Sequence, residues 1–143
     1  CSADAEYTNL QATADQSMGS CWSGLDPDDN KNVWFRFQAI GPNVALTLRN
    51  YSIYGNMRYP QMALWTAGGV ELKCLPRTLD RSTSTMSYDG LVTGNWYYIS
   101  VDDAVTSGSF TLCIEDELDY DYKAGAYEII NPVRWCSSDA RSL

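Results

Sequence analysis

The sequence predicts an all-β protein, one antiparallel β-sandwich of jelly-roll character. Three observations carry that expectation. Several stretches of strand length alternate apolar and polar residues, Gly, Pro, Asn and Asp separate them as turn residues, and no stretch sustains a helical apolar period. Roughly seven to nine short strands of this kind suit a sandwich or jelly roll.

In chain order, residues 7–12 give a weak strand, and residues 10–18 could hold a turn or two of helix. "NVWFRFQA" (32–39) places Val33, Phe35 and Phe37 on one face and Trp34, Arg36 and Gln38 on the other. "AIGPN" (39–43) is a turn built on Gly41 and Pro42. "VALTLRN" (44–50) then sends Val44, Leu46 and Leu48 inward, with Ala45, Thr47 and Arg49 outward. "QMALWTA" (61–67), Gly68-Gly69 and "VELKC" (70–74) read as a hairpin with a two-glycine loop. Residues 83–88 form another weak strand. "NWYYISVDD" (95–103) sets Trp96, Tyr98 and Ser100 opposite Tyr97, Ile99 and Val101. "GSFTLCIED" (108–116) turns Phe110, Leu112 and Ile114 one way and Thr111 and Cys113 the other. The short loop between these two strands, with Ser107 and Gly108, is a second hairpin signal. A last weak strand falls at 127–130.

Charge and composition exclude several function classes. A net charge of −8 is the opposite of the basic footprint that nucleic acid requires. The absence of histidine removes Ser-His-Asp and Cys-His catalysis and the imidazole zinc sites. No apolar run approaches a membrane span, and no signal peptide precedes the first residue, so the chain is expected to be a mature fragment. Paired carboxylates could serve glycoside hydrolysis, but 18 acidic residues produce such pairs by chance. A non-enzyme is expected.

Five cysteines without a C-x-x-C pair point to disulfides and an oxidising compartment, hence a secreted, extracellular or cell-surface protein. The odd count has an explanation at the ends of the chain. "CSADA" (1–5) and "CSSDA" (136–140) agree at four of five positions across an offset of 135 residues. A period of that length fits whole domains in series rather than a solenoid of small repeats. Cys136 then opens a second unit, and the first owns Cys1, Cys21, Cys74 and Cys113, for which three pairings exist. Cys1 as the lipid-bearing residue of a lipoprotein is the alternative, and the echo at Cys136 argues against it. The expected organisation is a repeat unit over 1–130, a linker over 131–135 and the start of the next repeat over 136–143. Pro132 ends any regular ladder, and the linker is so short that Pro132, Trp135 and Cys136 are expected at the contact between units.

Two candidate sites remain. Acidic clusters make calcium the candidate cofactor, with Asp26, Asp28, Asp29, Asp102 and Asp103 as ligands, although none has the EF-hand spacing and Asp and Asn are also ordinary turn residues. The loop "YSIYGNMRYP" (51–60) offers Tyr51, Tyr54 and Tyr59 to a ligand such as surface polysaccharide, together with exposed tryptophans. Alternation assigns Phe35, Phe37, Phe110 and Tyr97 to the core and leaves the faces of Trp34 and Trp96 open.

"GSCW" (19–22), "NVWFRF" (32–37), "YPQMALW" (59–65), "WYYISVD" (96–102) and "GSFTLCI" (108–114) occur in that order. Together they resemble the β-sandwich repeats of large secreted surface proteins of Bacteroidetes, adhesins and gliding-associated proteins exported by the type IX route. Those repeats are similar to bacterial pre-peptidase C-terminal domains. "DYDYKAGA" (119–126) leading to "WCSSDA" (135–140) resembles the repeat junction of that group. Many relatives carry an extra cysteine in the loop before the position of Cys74, which "WTAGGVELKC" (65–74) lacks, so Cys74 needs a distant partner. Cys21–Cys74 is the favoured pair because both flank core strands at loop positions, leaving Cys1–Cys113. The resemblance implies a non-catalytic bead of a surface fibre or adhesin, partnered by neighbouring copies of itself. The alternative is a carbohydrate-binding module attached to a secreted enzyme.

Overall fold

The computed structural model describes residues 1–13, 18–22, 31–78 and 83–117, the side chain of Glu117 excepted. The strand expected at 127–130 and the segments 131–135 and 136–143 lie outside them. Eight strands follow in order: β1 (Tyr7–Thr8), β2 (Val33–Gln38), β3 (Asn43–Arg49), β4 (Pro60–Thr66), β5 (Glu71–Leu75), β6 (Thr83–Asp89), β7 (Trp96–Asp103) and β8 (Ser109–Glu117). Helix among the described residues is one 3-10 turn, Ser52–Tyr54.

The strands form two four-stranded antiparallel sheets, one in the order β1-β8-β3-β6 and the other β2-β7-β4-β5. The chain changes sheet at every connection except β4–β5. That order is the jelly roll, as the sequence pattern predicts. It also corrects one expectation. β7 and β8 are not a hairpin, because residues 104–108 carry the chain from one sheet to the other. The weak strand at 7–12 contracts to Tyr7–Thr8, after which Asn9 accepts a turn bond from Ala12.

The inner faces meet as the alternation requires. Val33, Phe35 and Phe37 of β2 stand opposite Val101, Ile99 and Tyr97 of β7, and Met62 and Leu64 of β4 flank β7 on its other side. From the facing sheet Leu46 sits between Ile114 and Met86. Phe110, fully buried, meets the edge of Phe35, while Tyr7 closes over both rings. Each such buried side chain stabilises the fold by about 1.5–3 kcal/mol.

The β4–β5 hairpin differs slightly from its prediction. Thr66 and Val70 close a three-residue loop, Ala67-Gly68-Gly69, in which the Gly69 amide donates to the Thr66 carbonyl. Gly69 has φ +80°, a left-handed conformation that glycine adopts without steric penalty. A bulge beyond the loop sets Trp65 opposite Glu71 and Leu64 opposite Lys73, so the extra residue, Leu72, packs against the core.

Two disulfides close the unit, Cys1–Cys113 and Cys21–Cys74, the pairs favoured above. The first ties the start of the chain to β8, where the Ser2 amide also donates to the Leu112 carbonyl. With its sulfur in that bond, Cys1 has no thiol to carry a lipid. No helix among the described residues is long and apolar enough to cross a membrane.

Candidate functional site

The outer face of the β2-β7-β4-β5 sheet gathers aromatic and polar side chains. Period-2 geometry brings Trp34, Arg36 and Gln38 of β2, Trp96, Tyr98, Ser100 and Asp102 of β7, and Gln61, Ala63 and Trp65 of β4 to one side. Leucine, isoleucine, valine and methionine are absent from these positions.

The face divides into a covered half and an open half. Gln61, Ala63, Ser100 and Asp102 are buried although they point away from the core. The described ends of the connection from β1 to β2 are fastened beside this half. Cys21 is bonded to Cys74, which pairs with Ala63, and the Ser20 amide and hydroxyl both donate to the Glu71 carboxylate. The far end of the same connection reaches the sheet where the Lys31 amide donates to Asp102. The open half holds Trp34 and Trp96, 39% and 43% exposed, with Arg36 and Gln38 exposed and Trp65 and Tyr98 half-buried.

The open-half rings are held in place. Trp34 and Trp65 lie 5.8 Å apart with their planes tilted by 49°, and Trp65 Nε1 donates to Ser100 Oγ at 2.9 Å. The Arg36 guanidinium sits 4.9 Å over the Trp96 ring, a cation–π contact that orients both. Gln38 Nε2 donates to the Gly94 carbonyl at 2.8 Å. Trp34 pairs with Ser100, four residues along β7 from Trp96, so the two exposed tryptophans are about 14 Å apart along the sheet by strand geometry. Fixed aromatic faces interleaved with planar polar groups can take a ligand that is apolar on its flats and hydroxylated at its rim.

The covered half is organised by Asp102. Its carboxylate receives Asn9 Nδ2 at 3.3 Å and Gln61 Nε2 at 3.5 Å, besides the Lys31 and Asp103 amides. Asn9 in turn accepts from the Gly108 amide at 2.9 Å, so one carboxylate gathers β1, β4, β7 and the start of β2. Gln61 Oε1 is buried without a partner. Burial pushes the Asp102 carboxyl up to about 6 from its ordinary 3.8, and the four hydrogen bonds oppose the shift without cancelling it. A carboxyl whose pKa rises on folding favours the folded state at low pH. Its contribution is fully present below pH 4 and is lost as pH rises through about 6, a change of about 3 kcal/mol. Asp102→Asn removes this titration. Wild-type minus variant unfolding free energy is therefore expected to fall by about 2–3 kcal/mol from pH 4 to pH 6.5 and to level off above it. Urea denaturation across that range checks the expectation, and a flat difference curve overturns it.

Asp103, the neighbouring calcium candidate, has a different task. Its Oδ2 accepts the amides of Arg58 and Tyr59 at 2.6 and 3.2 Å, and its Oδ1 those of Val105 and Thr106, both at 3.0 Å. As successive residues of a strand, Asp102 and Asp103 face opposite sides, and the structure does not bring them together. Asp26, Asp28 and Asp29 lie outside the described residues. Among the described residues no cluster of three or more acidic, cysteine or histidine side chains could hold a metal ion.

The tyrosine loop is packed rather than splayed. Tyr51 and Tyr54 meet edge to face at 5.3 Å, Arg49 lies over Tyr54, and both Arg58 and Arg77 lie over Tyr59. All three tyrosines are half-buried. Gly55 anchors the loop on β8, since a Cβ there would collide with the backbone of Ser109 and Phe110. Pro132, Trp135 and Cys136 lie outside the described residues.

Sequence reasoning singled out Trp34 and Trp96 but not their companions Arg36, Gln38, Trp65 and Tyr98. The alternation of residues 32–39 already placed Trp34, Arg36 and Gln38 together. Asn9 and Gln61 carried no signal, because their importance comes from strands far apart in sequence. No family model matches the chain. A search of curated proteins also finds no match.

Proposed function

We propose that the chain is a non-catalytic extracellular bead of a bacterial surface fibre or adhesin, repeated in tandem. The observation that carries this reading is the return of "CSADA" as "CSSDA" after 135 residues. The disulfides support it. Cys1, Cys21, Cys74 and Cys113 bond among themselves, which leaves the odd cysteine, Cys136, inside the echo where a second unit would begin. Two disulfides in one small domain fit an oxidising, extracellular compartment. The ordered sequence motifs add a resemblance to tandem β-sandwich repeats of secreted surface proteins. Pro132, Trp135 and the segment 119–126 are the expected contacts between beads.

Electron microscopy of the native assembly, with the mass of the intact gene product, tests the proposal. Globules in series at one bead per roughly 135 residues are expected. Non-reducing peptide maps should link Cys136 to the cysteine that corresponds to Cys113 in the following unit. A gene product with one copy fused to a catalytic domain overturns the bead and leaves a binding module in its place.

A further inference from the structure

We infer that the open half of the outer β2-β7-β4-β5 face binds a neutral polysaccharide strand, with its sugar rings on Trp34 and Trp96 and its hydroxyls met by Arg36, Gln38 and Tyr98. This goes beyond the bead reading and holds for one copy or many. It also moves the contact from the tyrosine loop, whose rings are packed on one another and on arginines.

Three features select a saccharide. Pyranose rings present C–H groups on their flats and hydroxyls around the edge, so they need aromatic planes beside hydrogen-bonding side chains. Trp34, Trp65 and Trp96 alternate with Arg36, Gln38 and Tyr98 in that manner, without an aliphatic side chain among them. The separation of the exposed tryptophans, about 14 Å, suits several linked sugars rather than one. The indoles are fixed before any ligand arrives, by Ser100 under Trp65 and by Arg36 over Trp96, so little ordering opposes binding.

Size argues against a protein partner. A stable protein interface engages about 20–30 residues on each side. Here the open face comprises six side chains and stops at the buried half formed by Gln61, Ala63, Ser100 and Asp102. Charge argues for a neutral ligand. Arg36 is the one cation among the six, and the chain as a whole carries −8, which repels a polyanion.

Native affinity electrophoresis of the intact chain tests the inference, in gels containing β-glucan, xylan or mannan, with alginate and pectate as anionic counterparts. At least one neutral polysaccharide should retard the protein, with little dependence on salt. Trp34→Ala and Trp96→Ala should each weaken that retardation at least tenfold, and Trp34→Phe should restore most of it. Ile53→Ala, at an exposed position away from the face, should leave it unchanged. Thermal melts equal to wild type keep the comparison free of folding effects. Retardation by none of the neutral polymers, retardation by the polyuronates alone, or full retardation of a Trp34→Ala/Trp96→Ala double variant each overturns the site.

Discussion

Replacing Asp103 by alanine is expected to destabilise the protein by about 4 kcal/mol, a large share of the roughly 5–15 kcal/mol that holds a domain together. The carboxylate is buried and is the common acceptor for the amides of Arg58, Tyr59, Val105 and Thr106. Those amides belong to two loops, one entering β4 and one leaving β7. Truncation strands four donors at once, each worth about 1–3 kcal/mol where water cannot replace the acceptor. The melting temperature should drop by about 10–20 °C, while Asp103→Asn, which keeps one acceptor oxygen, should lose roughly half as much. Urea denaturation with an unchanged slope and a lowered midpoint checks this. A loss below 1 kcal/mol for Asp103→Ala would mean that the loops hold themselves.

Removing the disulfides is expected to act on a similar scale and to separate two roles. The bridges span 112 and 53 residues, for which loop closure in the unfolded chain gives about 5 and about 4 kcal/mol. The Cys21–Cys74 loop lies inside the Cys1–Cys113 loop, so opening both should lose less than the sum. The local consequences differ. Cys21→Ala/Cys74→Ala unfastens the segment around Cys21 from β5 beside Ala63, and amide exchange at Ala63 and Ser100 should rise. Cys1→Ala/Cys113→Ala should leave those amides protected. Denaturation midpoints that do not respond to reduction would overturn the stabilisation, and equal exchange in the two variants would overturn the separation of roles.

The physics of a strand explains which parts of this structure were readable in advance. Alternation reports which side chains share a face, so the inward sets Val33, Phe35 and Phe37 or Val44, Leu46 and Leu48 are correct as predicted. It does not report which sheet a strand joins. β7 and β8, strong strands on either side of a short loop, therefore looked like a hairpin, whereas their partners are β2 and β4 for one and β1 and β3 for the other. The same limit applies to the outer face. Trp34 and Asp102 both point outward, yet one is open and the other buried. One end of the β1–β2 connection is pinned beside the buried half by a disulfide, a contact between residues some fifty positions apart that no local pattern reports. Asp103 shows a third limit, since a turn-like aspartate and a four-amide staple look the same in sequence.

The Cys1–Cys113 bond also determines how the domain behaves under tension. A pull along the backbone that arrives at Cys1 crosses two sulfur atoms to Cys113 and leaves through the last residues of β8, so the load path bypasses every strand from β1 to β7 except where β8 pairs with β3. The 112 residue steps between them, about 370–400 Å of chain if drawn straight, stay out of reach of the force. The length between the two cysteines would be released by reductant rather than by stress.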